Sequence, residues 1–219
     1  TTDVTYTDAS PLGGLYYYFI VAQDVHYNKS PVAVTGSPAM SLNLTVFIAG
    51  LYNEQGNSQT TDTIIVELRN STPPYSLADQ SRGVVSQAGI LMLRFGTAPE
   101  GNYYIAVKHR NSIETWNSAP LAFSRSSATV YDMSVSASQA YGSNMMQIDA
   151  SPLRFGIYSG DVNGDGLIDA TDAGSVDSDA GNYVFGYVPT DLNGDGFVDG
   201  TDFLIADNNA ANFISVIRP

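Results

Sequence analysis

Twelve residues occur twice in this chain, thirty positions apart: Asp161-Val-Asn-Gly-Asp-Gly-Leu-Ile-Asp-Ala-Thr-Asp172 and Asp191-Leu-Asn-Gly-Asp-Gly-Phe-Val-Asp-Gly-Thr-Asp202. Both read D-x-N-x-D-G-x-h-D-x-x-D, with h apolar. Oxygen-bearing side chains fall at loop positions 1, 3, 5, 9 and 12, and the glycine at position 6 permits the sharp turn that a wrapped cation requires. A hard divalent ion takes about six to eight oxygens, and this spacing gathers them round one centre. The first set is Asp161, Asn163, Asp165, the carbonyl of Leu167, Asp169 through water, and Asp172. The second is Asp191, Asn193, Asp195, the carbonyl of Phe197, Asp199 and Asp202. The pattern predicts two Ca2+ sites, with Ile168 and Val198 facing each other between paired loops. Two copies in register argue against a merely solvated acidic turn.

The repeat runs past the loops: Asp177 matches Asp207, Ala180 matches Ala210, Asn182 matches Asn212, and Tyr183 matches Phe213. A helix is expected to begin at position 10 of each loop. With no helix before the loop, the unit from Gly160 to Pro219 resembles a dockerin module. That resemblance implies calcium binding, an extracellular setting and a cohesin-like partner. Dockerins that grip cohesins usually carry a Ser-Thr type pair at positions 10 and 11; here those positions hold Ala170-Thr171 and Gly200-Thr201.

Net charge is −13, from 22 acidic and 9 basic residues. Such a surface repels nucleic-acid backbones and anionic membranes. Cysteine is absent, so a secreted, cell-surface setting is inferred from calcium, which fills such loops at extracellular concentrations. No apolar run is long enough for a membrane span. With no signal peptide visible, the sequence reads as a mature or excised piece of a longer precursor.

Leu15-Tyr-Tyr-Tyr-Phe-Ile-Val-Ala22 is apolar or aromatic on both faces, the mark of a strand covered on both sides. A turn through Asn28 and Ser30-Pro31 leads to a short strand, Val32 to Thr35. Residues 9–36 resemble the last two strands of a fibronectin type III domain. A lone hairpin is marginal in water, so this β-segment (1–37) calls for a partner.

From Met40 to Tyr158 the alternation is clean. Leu42, Leu44, Val46 and Ile48 share a face, as do Ile64, Val66 and Leu68, and Leu91, Leu93 and Phe95. Tyr103, Ile105 and Val107 follow, then Tyr131, Met133 and Val135, and finally Leu153 to Tyr158. Turn-forming clusters separate these runs. The expected fold is therefore mainly β: an N-terminal β-segment (1–37), an antiparallel β-sandwich (38–158) and a small α-helical calcium module (159–219).

No catalytic set emerges. His26 and His109 read as surface histidines without a nucleophile motif, and loop glutamates such as Glu100 and Glu114 are too common to define a glycosidase pair. Trp116 suits burial at a sandwich edge better than stacking on a sugar. The expectation is a non-catalytic extracellular interaction protein. Three partner classes stay open: other copies of itself or neighbouring extracellular domains joined by β-strand addition, a cohesin-like protein, and a glycan.

Overall fold

The computed structural model describes residues 17–20, 33–36 and 38–219, the first two segments by backbone alone. β1 (Tyr17–Ile20) pairs antiparallel with β2 (Ala33–Gly36), Phe19 opposite Val34. The rest of the N-terminal segment lies outside the described residues. β3 (Met40–Thr45) opens the sandwich. A small hairpin, β4 (Tyr52–Asn53) and β5 (Ser58–Gln59), leads to β6 (Asp62–Asn70), β7 (Leu77–Val85) and β8 (Ile90–Phe95). β9 (Gly101–His109), β10 (Ser112–Trp116), β11 (Leu121–Phe123) and β12 (Thr129–Asp132) complete its walls. β13 (Met146–Ala150) and β14 (Leu153–Gly156) form a second hairpin before the helices α1 (Ala170–Gly181) and α2 (Gly200–Ala211).

One sheet has the order β10-β9-β6-β7, with β11 also on β9; the facing sheet is β12-β3-β8. The turn at residues 86–89 places β7 beside β8, and the Thr129 hydroxyl donates to the Ala122 carbonyl at 2.8 Å beside β11. Both sides of the sandwich are thereby closed. Inward rows from the two sheets meet: Leu42 and Leu44 lie opposite Leu93 and Leu91 and pack with Ile64, Val66, Leu68, Ile105 and Val107. All are buried, as the alternation predicts.

Two differences stand out. The pair β12–β3 is parallel, Tyr131 beside Leu44, so the sandwich is not antiparallel throughout. β12 also stops at Asp132, where the Asp132 carboxylate accepts both the N–H and the hydroxyl of Ser134. Met133 stays in the core while Val135 turns outward.

Candidate calcium centre

Each loop is built by its own carboxylates. In the first, Asp172 is fully buried; one oxygen accepts the N–H groups of Val162 (3.0 Å) and Asn163 (3.2 Å), the other that of Asp169 (3.0 Å). In the second, Asp202 takes the same three bonds from Leu192, Asn193 and Asp199 at 2.7, 3.0 and 3.0 Å. Asn163 accepts Asp165 N–H and Asp165 accepts Leu167 N–H; Asn193 and Asp195 repeat this with Asp195 and Phe197. These side-chain turns at positions 3 and 5 curl each loop back on itself. Gly166 and Gly196 have φ of +89° and +87°, in the left-handed region glycine tolerates, and donate to Asp161 at 3.2 Å and Asp191 at 3.1 Å. Asp169 and Asp199 cap the helices, which start at position 10 as expected.

The residues fit a hard cation. Asp161 Oδ1 is buried and makes no well-formed hydrogen bond, although the Gly164 N–H lies near the carboxylate; in the second loop Gly194 donates to Asp191 Oδ1 at 2.8 Å. Burial, and then the charge of Asp172, push the Asp161 carboxyl above its ordinary range. Burial, with a smaller push from Asp202, does the same to Asp191. A calcium ion held by oxygens would offset this cost at both carboxylates; Arg110 offsets it in part at Asp191, and among the described residues no cation does so at Asp161. Among the described residues, no three acidic, histidine or cysteine side chains converge closely enough to hold a metal ion by themselves. Asp161 and Asp165 border a cleft of 190 Å³ shared with Ser112 and Glu114, and Asp191 and Asp195 border one of 240 Å³ shared with Asp62 and Arg110.

Ile168 and Val198 do not face each other. Ile168 N–H donates to Ile214 beyond α2, and its side chain joins the sandwich core; Val198 N–H donates to Val184 beyond α1 and joins a smaller core with Val176, Leu192 and Ala206. Each loop is thus tied to the segment following the other helix. That exchange interlocks the two repeats.

The turn between β9 and β10 enters the module. Asn111 is fully buried; its amide donates to the carbonyls of Pro189 (2.9 Å) and Asp191 (3.0 Å), and its own carbonyl accepts Gly160 N–H at 2.7 Å. Arg110 donates to the Val188 and Asp191 carbonyls and to Asp62, with its guanidinium 4.5 Å from the Tyr187 ring centre. Tyr187 O–H donates to the other Asp62 oxygen at 2.5 Å. Burial alone would raise the Asp62 carboxyl, but His109, Tyr187 and the Thr63 N–H hold it well below its ordinary value. A side chain on Gly50 would stand 2.4 Å from the Leu192 carbonyl, so only glycine admits this approach. None of these junction residues stood out in the sequence; their partners lie about eighty positions away.

His109 is not a surface histidine. Its side chain is fully buried, Nδ1 2.9 Å from Ser112 Oγ and Nε2 3.1 Å from Asp62 Oδ2. Trp116 is 3% exposed and its Nε1 donates to Glu114 at 2.6 Å, so no face is offered to a sugar. Glu114 also meets Lys108 and Arg218, whereas Glu100 accepts Arg125 N–H; the two glutamates share no partner. His26 lies outside the described residues.

No family model matches the chain, and no curated protein is similar to it in sequence. Among solved structures, the chain is similar to chains from two crystal structures of type II cohesin–X-dockerin complexes of Acetivibrio cellulolyticus, a C-terminal and an N-terminal interface mutant. Identities are 13% and 14% and TM-scores 0.45 and 0.42; each match covers 79% of this chain and 99% of the other. Among the described residues, no helix is long and apolar enough to cross a membrane.

Proposed function

We propose that this chain is a calcium-stabilised, non-catalytic structural subunit that works outside the cell and assembles by lending its N-terminal hairpin to another chain. One observation carries the reading. Among the described residues β1 and β2 pair only with each other, while the strands from β3 onward bury a continuous core of their own. Leu15–Ala22 is uncharged and apolar or aromatic on both faces, so its sequence asks for cover on both sides. Left in water, such a strand is an aggregation template; paired with another chain, it is a connector. The two loops support the calcium part of the reading, and loops of this composition fill at extracellular calcium. The absence of catalysis is inferred from His109, Glu100 and Glu114, each of which lies against a structural partner.

Sedimentation and negative-stain imaging of the native chain in calcium test this. Oligomers or fibres are expected, and Phe19→Asp with Ile20→Lys should reduce them to folded monomers. A native chain that stays monomeric at high concentration sinks the proposal. A second reading, a tether to a cohesin-like protein, draws on the exposed Tyr183, Phe185, Phe197, Leu204 and Phe213 of the helical module. A calcium-dependent pull-down with a purified cohesin, unaffected by the Phe19 and Ile20 changes, would favour it. The glycan reading, which drew on Trp116 and the tyrosines, loses Trp116, since that side chain is buried.

A further inference from the structure

We infer that Asn163 is a site of spontaneous covalent modification, deamidating through Gly164, and that its counterpart Asn193 is protected. Both loops carry the pair Asn-Gly at positions 3 and 4. Glycine has no Cβ to shield its amide nitrogen, so that nitrogen can approach the side-chain carbonyl carbon of the residue before it. In both loops the Asn Oδ1 accepts the N–H of the aspartate two residues on at 2.8 Å, which polarises that carbon toward attack. Backbone conformation is shared as well, with Gly164 and Gly194 both at φ +73°. Local sequence and backbone therefore do not separate the two pairs. Their surroundings do.

Loop 2 restrains both reacting groups. The Asn193 amide, which would leave, donates to Asp195 Oδ2 at 3.1 Å and to Thr201 Oγ1 at 2.9 Å. The Gly194 nitrogen, which would attack, donates its proton to Asp191 Oδ1 at 2.8 Å. The sandwich also packs against it: a side chain on Gly194 would begin 2.8 Å from Leu51 and 3.1 Å from Thr60. In loop 1, Asn163 and Gly164 are exposed, and nothing lies within 4 Å of the same point on Gly164. Among the described residues the Asn163 amide has neither of the two bonds that hold Asn193, and the Gly164 N–H only lies near Asp161.

In the reaction the Gly164 nitrogen loses its proton and bonds to Cγ of Asn163. The bond from Cγ to the side-chain nitrogen breaks, and that nitrogen takes up a proton and leaves as ammonia. Water then opens the succinimide ring at either carbonyl. One product is aspartate, which adds a negative charge beside Asp161 and Asp165. The other is isoaspartate, in which the main chain runs through the side-chain carbon and gains an atom between positions 3 and 4. That extra atom disrupts the spacing a cation needs at this loop. This last consequence rests on the calcium reading; the chemistry at Asn163 does not.

The experiment incubates the full chain at mildly alkaline pH, in a buffer where circular dichroism shows it folded, and follows both Asn-Gly peptides by mass spectrometry and isoaspartyl labelling. Asn163 should convert several-fold faster than Asn193 in the folded chain, and in denaturant the two rates should converge. Thr201→Ala, at an exposed position, frees part of the Asn193 amide and should raise the Asn193 rate while leaving Asn163 unchanged. Asn163→Gln should abolish the loop 1 mass gain; a gain that survives this change arises elsewhere, and the assignment is wrong. Equal rates in the folded chain, or a difference that persists undiminished in denaturant, would overturn the inference. The readout is covalent, so a chain that binds no calcium and stays monomeric still tests it.

Discussion

The side-chain amide of Asn111 donates to the main-chain carbonyl of Asp191 at 3.0 Å. A turn of the sandwich therefore holds the residue that begins the second of the two repeated loops. Arg110 grips the same carbonyl from the neighbouring position, also at 3.0 Å. Loop 2 is thus preorganised by a part of the chain far from it in sequence, and its conformation depends on the sandwich being folded.

Asn111→Ala should show this directly. It leaves the Pro189 carbonyl without that donor and weakens the hold on Asp191, with each buried unsatisfied group costing about 1–3 kcal/mol. Chemical denaturation should report a loss in that range. Calcium titration should show weaker binding at loop 2 than in the native chain, with loop 1 changed less.

Removing calcium should lower the melting temperature of the whole described chain, since Ile168, Ile214 and Val216 of the module pack against the sandwich core. Ligand binding to the folded form alone stabilises by RT ln(1 + [L]/Kd), about 2.7 kcal/mol at a hundredfold excess over Kd. Asp161→Ala and Asp191→Ala should each remove one equivalent of bound calcium. Melting unchanged by EGTA, with no calcium found by elemental analysis, would contradict the assignment.

Asp62 predicts a pH dependence. Its folded-state pKa lies well below the ordinary value of 3.8, so its contribution is fully present above that value and fades as pH falls toward the folded-state one. Asp62→Asn removes this contribution. The stability difference between native chain and variant should be largest near neutrality and shrink below about pH 4. A constant difference across that range would mean the carboxylate charge is not what matters there.

Leu42→Ala opens a cavity in the row where Leu42 meets Leu93, and both are essentially inaccessible to solvent. A loss of about 2–5 kcal/mol is expected from denaturant curves. Val84→Thr, on an exposed position, should stay within about 0.5 kcal/mol of the native chain as a monomer.

The parts legible in the sequence are those whose causes are local. Bonds inside each loop span ten residues or fewer, so spacing alone predicts the turns at Asn163 and Asp165, the caps at Asp169 and Asp199 and the helix starts. Alternation likewise identified the inward rows of β3, β6, β8 and β9. The junction was hidden because Arg110 and Asn111 look like any polar turn until residues 188–191 come to rest beside them. His109 looked exposed for the same reason, its burial being set by Asp62 from another strand. The parallel placement of β12 depends on how the 124–128 connection returns, and periodicity carries no information on strand direction. The pairing of Ile168 with Val198 expected from the repeat gives way to Ile214 and Val184, whose distance along the chain the loop pattern does not reveal.

The position of β3 bears on how the molecule would carry a load. It is joined almost directly to β2 and held on both flanks, by six residue pairs to β8 and four to β12. A pull on the hairpin acts along β3, across hydrogen bonds that run perpendicular to the strand on the β8 side and slanted on the β12 side. Those bonds cannot open one at a time as in a zipper; both ladders must slide together in shear. Tension would thus enter the sandwich through a strand anchored on both flanks, and the chain running on from it at Gly50 and Leu51 abuts the second loop at Leu192 and Gly194.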